Sequence, residues 1–205
     1  LHTLFPYTTL FRSRFYYEVN KPGLTNDHLV YHGEGFASSY NLYKEKKAGI
    51  LSTFPFGIFA YSRLDDQLRG DPLWESTPRA DGRDAMGLKP SQPNVELFNL
   101  ELYGGPKDYV DFPTDNQYVV GFCALLFNAQ SRGSVTLRSS NPLDNPIVGH
   151  NYISDPLDLL VLAQGCQTMN EILLKGKATK DVISGSWPRQ RKIGRASCRE
   201  RVYGE

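Results

Sequence analysis

Few residues in this chain have the types and spacing that could do chemistry. Gly33-Glu34-Gly35 begins like a glycine-rich loop, where bare backbone N–H groups cradle a dinucleotide pyrophosphate. That chemistry needs a preceding strand and a third glycine at position 38, but the residue there is Ser38 and the segment before the loop is polar. A turn leading into a helix is the better reading. His28 and His32 stand four apart, a spacing that can chelate a metal on a helix. No third ligand accompanies them, and Gly33 and Gly35 weaken a helix there, so both read as surface histidines. Asp65-Asp66 offers two carboxylates, but adjacent side chains point apart in helix and strand, which favours a turn or cap over an acid–base pair. Cys123 and Cys166 lie in apolar segments and read as buried, unreactive thiols. The stretch 54–61 is crowded with aromatics, suited either to a pocket wall or to core packing. Core packing is the more frequent role. No residue is assigned to catalysis, cofactor binding or a metal.

The elements that would position these groups follow from periodicity. Residues 14–19 are aromatic and β-branched and read as a strand or extended entry, closed by the turn Asn20-Lys21-Pro22-Gly23. Thr25, Asn26 and Asp27 offer caps for a helix on which Phe36, Tyr40 and Tyr43 recur at helical spacing, ending near Gly49. Residues 65–94 are polar and broken by Pro72, Pro78, Pro90 and Pro93, and are expected to form a long surface loop with short helical turns. Residues 95–103 read as a strand with Phe98, Leu100 and Leu102 on one face, and residues 117–127 as a strand buried on both faces. The short link 128–133 predicts a hairpin between that strand and a third one at 134–139. The strongest helix signal covers 156–175, with Ser154 or Asp155 as cap, Pro156 in the first turn and Gly176 as stop. The order predicts an α+β fold, an antiparallel sheet with flanking helices.

Composition narrows the class. Apolar residues make up 40% and the formal charge is +1, which excludes a disordered chain and a polybasic nucleic-acid or membrane-surface binder. No apolar run approaches the roughly 18 residues of a membrane span. The two ends, however, share a single DNA origin. One segment read on opposite strands can encode both residues 3–13 and residues 193–202, and it resembles a short-read sequencing adapter. The expected organisation is an adapter-derived tail at 1–13, a biological segment at 14–192 and a second such tail at 193–205. Without Arg12, Arg195, Arg199, Arg201, Glu200 and Glu205 the formal charge changes from +1 to −1, and Cys198 and His2 also drop out. On this reading the native N-terminus is missing, and no compartment or oligomeric state is assigned.

Beyond these tails, one succession of motifs is specific. Ser131-Arg132-Gly133-Ser134-Val135-Thr136-Leu137 is followed by Asn141-Pro142-Leu143-Asp144-Asn145-Pro146, and then by Asn151-Tyr152-Ile153-Ser154-Asp155-Pro156-Leu157-Asp158. In this order and spacing they resemble the C-terminal substrate domain of the glucose–methanol–choline (GMC) flavin oxidoreductases, choline dehydrogenase-like enzymes of a fungal type. Lys47-Ala48-Gly49-Ile50-Leu51-Ser52 is similar to a further family stretch, with Ala48 and Ile50 as departures, and its position implies Phe54, Phe56 and Phe59 as candidates for the border of a substrate cavity, with core packing the favoured alternative. Asn141 and Gly149 stand where aspartates are common.

The resemblance implies an incomplete substrate-binding domain cut from an FAD-dependent enzyme that oxidises a small-molecule alcohol, as oxidase or dehydrogenase. It implies that the FAD loop lies upstream and that the catalytic histidine segment lies beyond Trp187. His28, His32 and His150 do not match that segment. The fragment itself is expected to be inactive and to bind no FAD, with neither nucleic acid nor membrane as a partner. Two alternatives are a lyase or cyclase on the same scaffold without net redox, and a non-catalytic binding module.

Overall fold

Phe15, Tyr17 and Val19 are buried while Arg14 and Glu18 are not, the period of two that suits a strand with unlike faces. In the computed structural model, which describes residues 12–53, 56–104 and 113–187, this segment is β1 (Arg12–Val19). The other elements are α1 (Gly35–Lys46), β2 (Phe56–Ser62), α2 (Asp65–Leu68), α3 (Pro72–Ser76), β3 (Val95–Leu100), β4 (Val119–Leu126), β5 (Ser134–Thr136), β6 (Ile147–Gly149), α4 (Pro156–Lys175) and β7 (Ile183–Trp187). Five strands form one antiparallel sheet in the order β2-β3-β4-β1-β7, and β5 and β6 form a separate two-stranded sheet. The fold is α+β with an antiparallel sheet, as the element order predicts.

Helix α4 covers one face of the large sheet. Leu157, Val161, Leu162, Cys166, Met169 and Leu173 are buried against Phe15, Tyr17, Val95, Leu97, Ala124 and Leu126. Gly165 lets the helix approach closely, since a Cβ there would sit 3.4 Å from Val95 Cγ1 and 3.5 Å from Ala124 Cβ. The Tyr17 hydroxyl donates to Asn170 Oδ1 at 2.9 Å, so its polar tip is paired. The helix bounds agree with the sequence reading. Pro156 occupies the first turn and the Asp155 carboxylate accepts from the Leu157 amide at 2.9 Å.

The Asp158 side chain is fully buried, and its carboxylate is saturated by the chain that precedes β5. It accepts from the amides of Gln130 (2.6 Å) and Ser131 (2.8 Å) and from the Ser131 hydroxyl (2.6 Å). The Ser131 oxygen in turn accepts from the Asp155 amide at 3.0 Å. The two specific motifs of the sequence are therefore one hydrogen-bonded joint between the end of β4 and the start of α4.

Several expectations are corrected. Strand β4 does not pair with β5, because both of its edges are already occupied, by β1 and by β3. The third strand instead pairs with β6, Val135 opposite Val148. Thr25, Asn26 and Asp27 do not cap α1. They begin a 3-10 turn (Asp27–Leu29), and Glu34 precedes α1. The Asp27 carboxylate reaches across the fold instead, accepting from the amides of Tyr103 (2.8 Å) and Val119 (2.7 Å) and from the Thr25 hydroxyl (2.6 Å). Phe36, Tyr40 and Tyr43 do lie on α1, but that face is exposed.

Residues 65–94 contain the expected short helices but are not a surface loop. Leu68, Trp74, Met86 and Leu88 enter the core. The Arg63 guanidinium holds the loop's return by donating to the carbonyls of Lys89 (2.7 Å) and Gln92 (2.5 Å) and to the carboxylates of Asp65 and Asp84. Asp65 is thus an ion-pair partner, and Asp66 pairs separately with Arg69. Cys123 and Cys166 are buried, as their apolar segments predict.

Two measurements test these joints. Asp158→Ala strands three donors in the core and should cost about 3–5 kcal/mol in denaturant unfolding, with a smaller loss for Asp158→Asn. Burial pushes the Asp27 carboxyl up from its ordinary value of 3.8, against its three hydrogen bonds and nearby His32. The folded chain then holds that proton more tightly than the unfolded chain. The contribution of Asp27 to stability should therefore fall as pH rises from 3.8 to the folded value and stay flat above it. A carboxyl carbon-13 titration giving 3.8 or less for Asp27 would contradict this.

Candidate functional site

The sheet face turned away from α4 is built from aromatic and apolar side chains. Gly121 and Cys123 of β4 stand opposite Leu100 and Phe98 of β3, which stand opposite Phe56 and Phe59 of β2. Phe98, Leu100, Cys123 and Leu125 form a buried cluster with Phe56 packed against it, separate from the α4 core. The Phe59 ring stacks on Phe98 with centroids 5.3 Å apart, and Phe56 lies 5.4 Å from Phe98 and 6.2 Å from Phe59. Phe59 remains 42% exposed and Tyr61 62%, so this wall is open to solvent at its β2 end. Phe54 lies outside the described residues.

Phe56 and Phe59 are three apart, and in a regular strand they would point to opposite faces. They share one face because the β2–β3 register shifts between them. The shift is held by Asn99, whose Oδ1 accepts from the Ile58 amide at 2.6 Å. Gly57 is required beside it, since a Cβ there would lie 2.6 Å from the Asn99 amide atoms. Sequence reasoning missed Asn99 and Phe98 as parts of this wall. The available signal was Gly57 inside an aromatic strand, the usual mark of a bulge or a close approach.

Toward β1 the wall continues as a tyrosine group. Tyr16 and Tyr103 have centroids 4.6 Å apart, Tyr31 lies 5.7 Å from Tyr103, and the Tyr31 hydroxyl donates to the Tyr103 carbonyl at 2.5 Å. Burial pushes the hydroxyls of Tyr16 and Tyr31 up to about 12. Both stay protonated at neutral pH, and neither is poised to act as a base. Gly121 leaves a flat spot in the wall, where a Cβ would lie 2.9 Å from Leu100 Cδ1 and 3.1 Å from Tyr16 Cε1.

His28 and His32 flank the Tyr118 ring, at 6.2 and 5.2 Å. The His32 Nε2 lies 2.8 Å from the Gln117 carbonyl oxygen, tying the first turn of the chain to the segment before β4. His150 packs on Tyr152 at 5.1 Å. Among the described residues, no cluster of three His, Cys, Asp or Glu is arranged to hold a metal.

The residues present do not fit a flavin pyrophosphate. The glycine pair at 33–35 follows a 3-10 turn, not a strand, and two carboxylates stand at the N-terminus of α1: Glu34, and Asp115 accepting from the Gly33 amide at 2.9 Å. Gly35 is small because its Cβ would collide with the His28 carbonyl oxygen. Its role is to let the turn pass close to the helix start.

Comparison with known proteins gives the class. A family model described as "GMC oxidoreductase" matches residues 129–200. The chain is 27% identical over 120 residues to patulin synthase of Aspergillus clavatus, covering 57% of this chain and 18% of that protein. It is 42% identical over 86 residues to an alcohol dehydrogenase [acceptor] of Pseudomonas putida, covering 40% of this chain and 15% of that protein. Its fold matches formate oxidase with a TM-score of 0.73 at 20% identity, covering 93% of this chain and 33% of that one. A variant of Aspergillus oryzae formate oxidase, studied for its FAD modification, matches at TM-score 0.73 and 22% identity, over 89% of this chain and 32% of that one.

The fold is like that of formate oxidase, and the motif segment lies in the part of the chain that the GMC oxidoreductase model matches. That match leaves more than half of this chain outside it, and the chain spans about a third of the length of the formate oxidases and under a fifth of the two curated relatives named.

The bulge can be tested directly. Asn99→Ala should lose about 1 kcal/mol and weaken the nuclear Overhauser contacts joining the Phe56, Phe59 and Phe98 rings. Unchanged ring contacts would remove Asn99 from its positioning role.

Proposed function

We propose that this chain is the substrate-side portion of an FAD-dependent GMC oxidoreductase that oxidises a small alcohol, and that it is inactive alone. The observation that carries the reading is the Ser131–Asp158 joint, which lies inside the family-matched segment. It gives the two most specific motifs a shared physical purpose. The similarity to a protein named alcohol dehydrogenase [acceptor] supports an alcohol as donor. Phe56 and Phe59, with Phe54 beside them in sequence, would border the substrate cavity, and the partly exposed Phe59 ring is the best candidate for contact. FAD would accept the electrons in the complete enzyme. Its glycine loop and the catalytic base are assigned to polypeptide outside this chain.

Residues 1–13 and 193–205 are proposed to be translated adapter DNA flanking the biological segment 14–192. Amplifying the source DNA across both junctions should give different codons there and open reading frame on both sides.

The activity test compares two proteins. The purified 205-residue chain should show no visible flavin absorbance and no alcohol turnover, whereas the product of the complete coding sequence should show both. Flavin bound by the short chain, or a complete reading frame without a dinucleotide-binding loop, would sink the reading. In the complete enzyme, Phe59→Ala should raise KM several-fold with a smaller change in kcat, as expected when uniform binding is lost.

A further inference from the structure

We infer that the β5–β6 arm is a docking surface for the flavin-binding portion of the same parent polypeptide. The inference rests on the GMC-parent reading above and adds to it a specific interface.

The arm is stiff at its tip. The Arg138 Nε donates to the Asn145 carbonyl at 3.1 Å, the Ser139 hydroxyl to Asp144 at 2.5 Å, and the Asn141 side-chain amide to Asp144 at 3.1 Å. It is anchored at its base, where Asn151 Nδ2 donates to the Arg132 carbonyl at 2.8 Å and Gly133 lets the two arms of the chain pass so closely that a Cβ would strike the carbonyl oxygens of Gly149 and His150. Next to the base, Ile153 is buried at a φ of +52°, a conformation that a β-branched residue adopts only when its surroundings hold it. The Ser131–Asp158 joint fixes the arm to the core on the other strand.

Yet the arm has no core of its own. Its apolar residues Val135, Leu137, Leu143, Ile147, Val148 and Tyr152 are 48–88% exposed. A two-stranded ribbon is only marginally stable in water unless something packs against it, and here apolar side chains stand exposed on both faces, Val135 beside Val148 on one and Ile147 on the other.

The occupant follows from where the arm lies. It falls inside the family-matched segment 129–200, and the aligned fold represents 33% of the formate oxidase chain, leaving about two thirds of such a chain to cover it. Polypeptide tethered to the arm reaches it at a high effective concentration, an advantage that a second copy of the chain lacks.

Hydrogen exchange on the complete flavoenzyme and on the 205-residue chain tests the interface. The arm amides should exchange at least about tenfold more slowly in the complete enzyme. In that enzyme, Leu137→Ser with Leu143→Ser should abolish most of the difference and speed FAD loss several-fold, while leaving the thermal midpoint of the 205-residue chain unchanged. If the complete protein holds flavin but its arm exchanges as fast as in the short chain, the docking inference fails and the parent reading stands. If the complete protein holds no flavin, the parent reading fails and the inference goes with it. If the short chain dimerises in light scattering and the double substitution returns it to a monomer, a second copy is the occupant and the inference is overturned.

Discussion

The buried carboxylate of Asp158 is the constraint on which the arrangement of this chain depends. A polar group with no exposure is tolerated only where partners surround it, and here three donors converge from Gln130 and Ser131. That requirement pins the chain leaving the central strand β4 to the first turn of α4. Everything between the two anchor points, the whole β5–β6 arm, must leave the core and return within a fixed gap. The helix then lies across the sheet at the depth set by Gly165. A second buried carboxylate, Asp27, plays the same part at the opposite end, gathering the first turn, the segment after β3 and the start of β4.

The two faces of the sheet have different fates for related reasons. The face under α4 is filled by aliphatic side chains together with Phe15 and Tyr17, and is closed. The opposite face is aromatic, open at the β2 end, and depends on a bulge for its composition. Asn99 and Gly57 together turn two phenylalanines of odd spacing to one side, where they stack around Phe98. A pocket wall made this way is set by a backbone irregularity, so its shape responds to residues that never touch a ligand.

Much of the fold was legible in the residues. The α4 bounds, cap and stop followed from Asp155, Pro156 and Gly176, and the doubly buried β4 from an unbroken apolar run. The motif succession at 131–158 pointed to the family whose model matches residues 129–200. Pairing was not legible. Sequence proximity joined β4 to β5, but the edges of β4 are taken by β1 and β3, partners far away in the chain. Polarity made 65–94 look like a surface loop, because the reach of one guanidinium, Arg63, to Lys89, Gln92 and Asp84 cannot be seen in composition.

By itself the sequence determined which segments could be helix or strand, which motifs recur in GMC enzymes, and that no described histidine pair or glycine loop carries the spacing its chemistry would need. These are local properties, set by side-chain period and backbone preference. Only the tertiary structure decided that Asp27 is a cross-fold acceptor and not a cap, that Phe56 and Phe59 share a face, and that Phe36, Tyr40 and the β5–β6 arm stand exposed. Those outcomes depend on which donors and strand edges remain unfilled once distant segments have met, and one-dimensional spacing does not contain that competition.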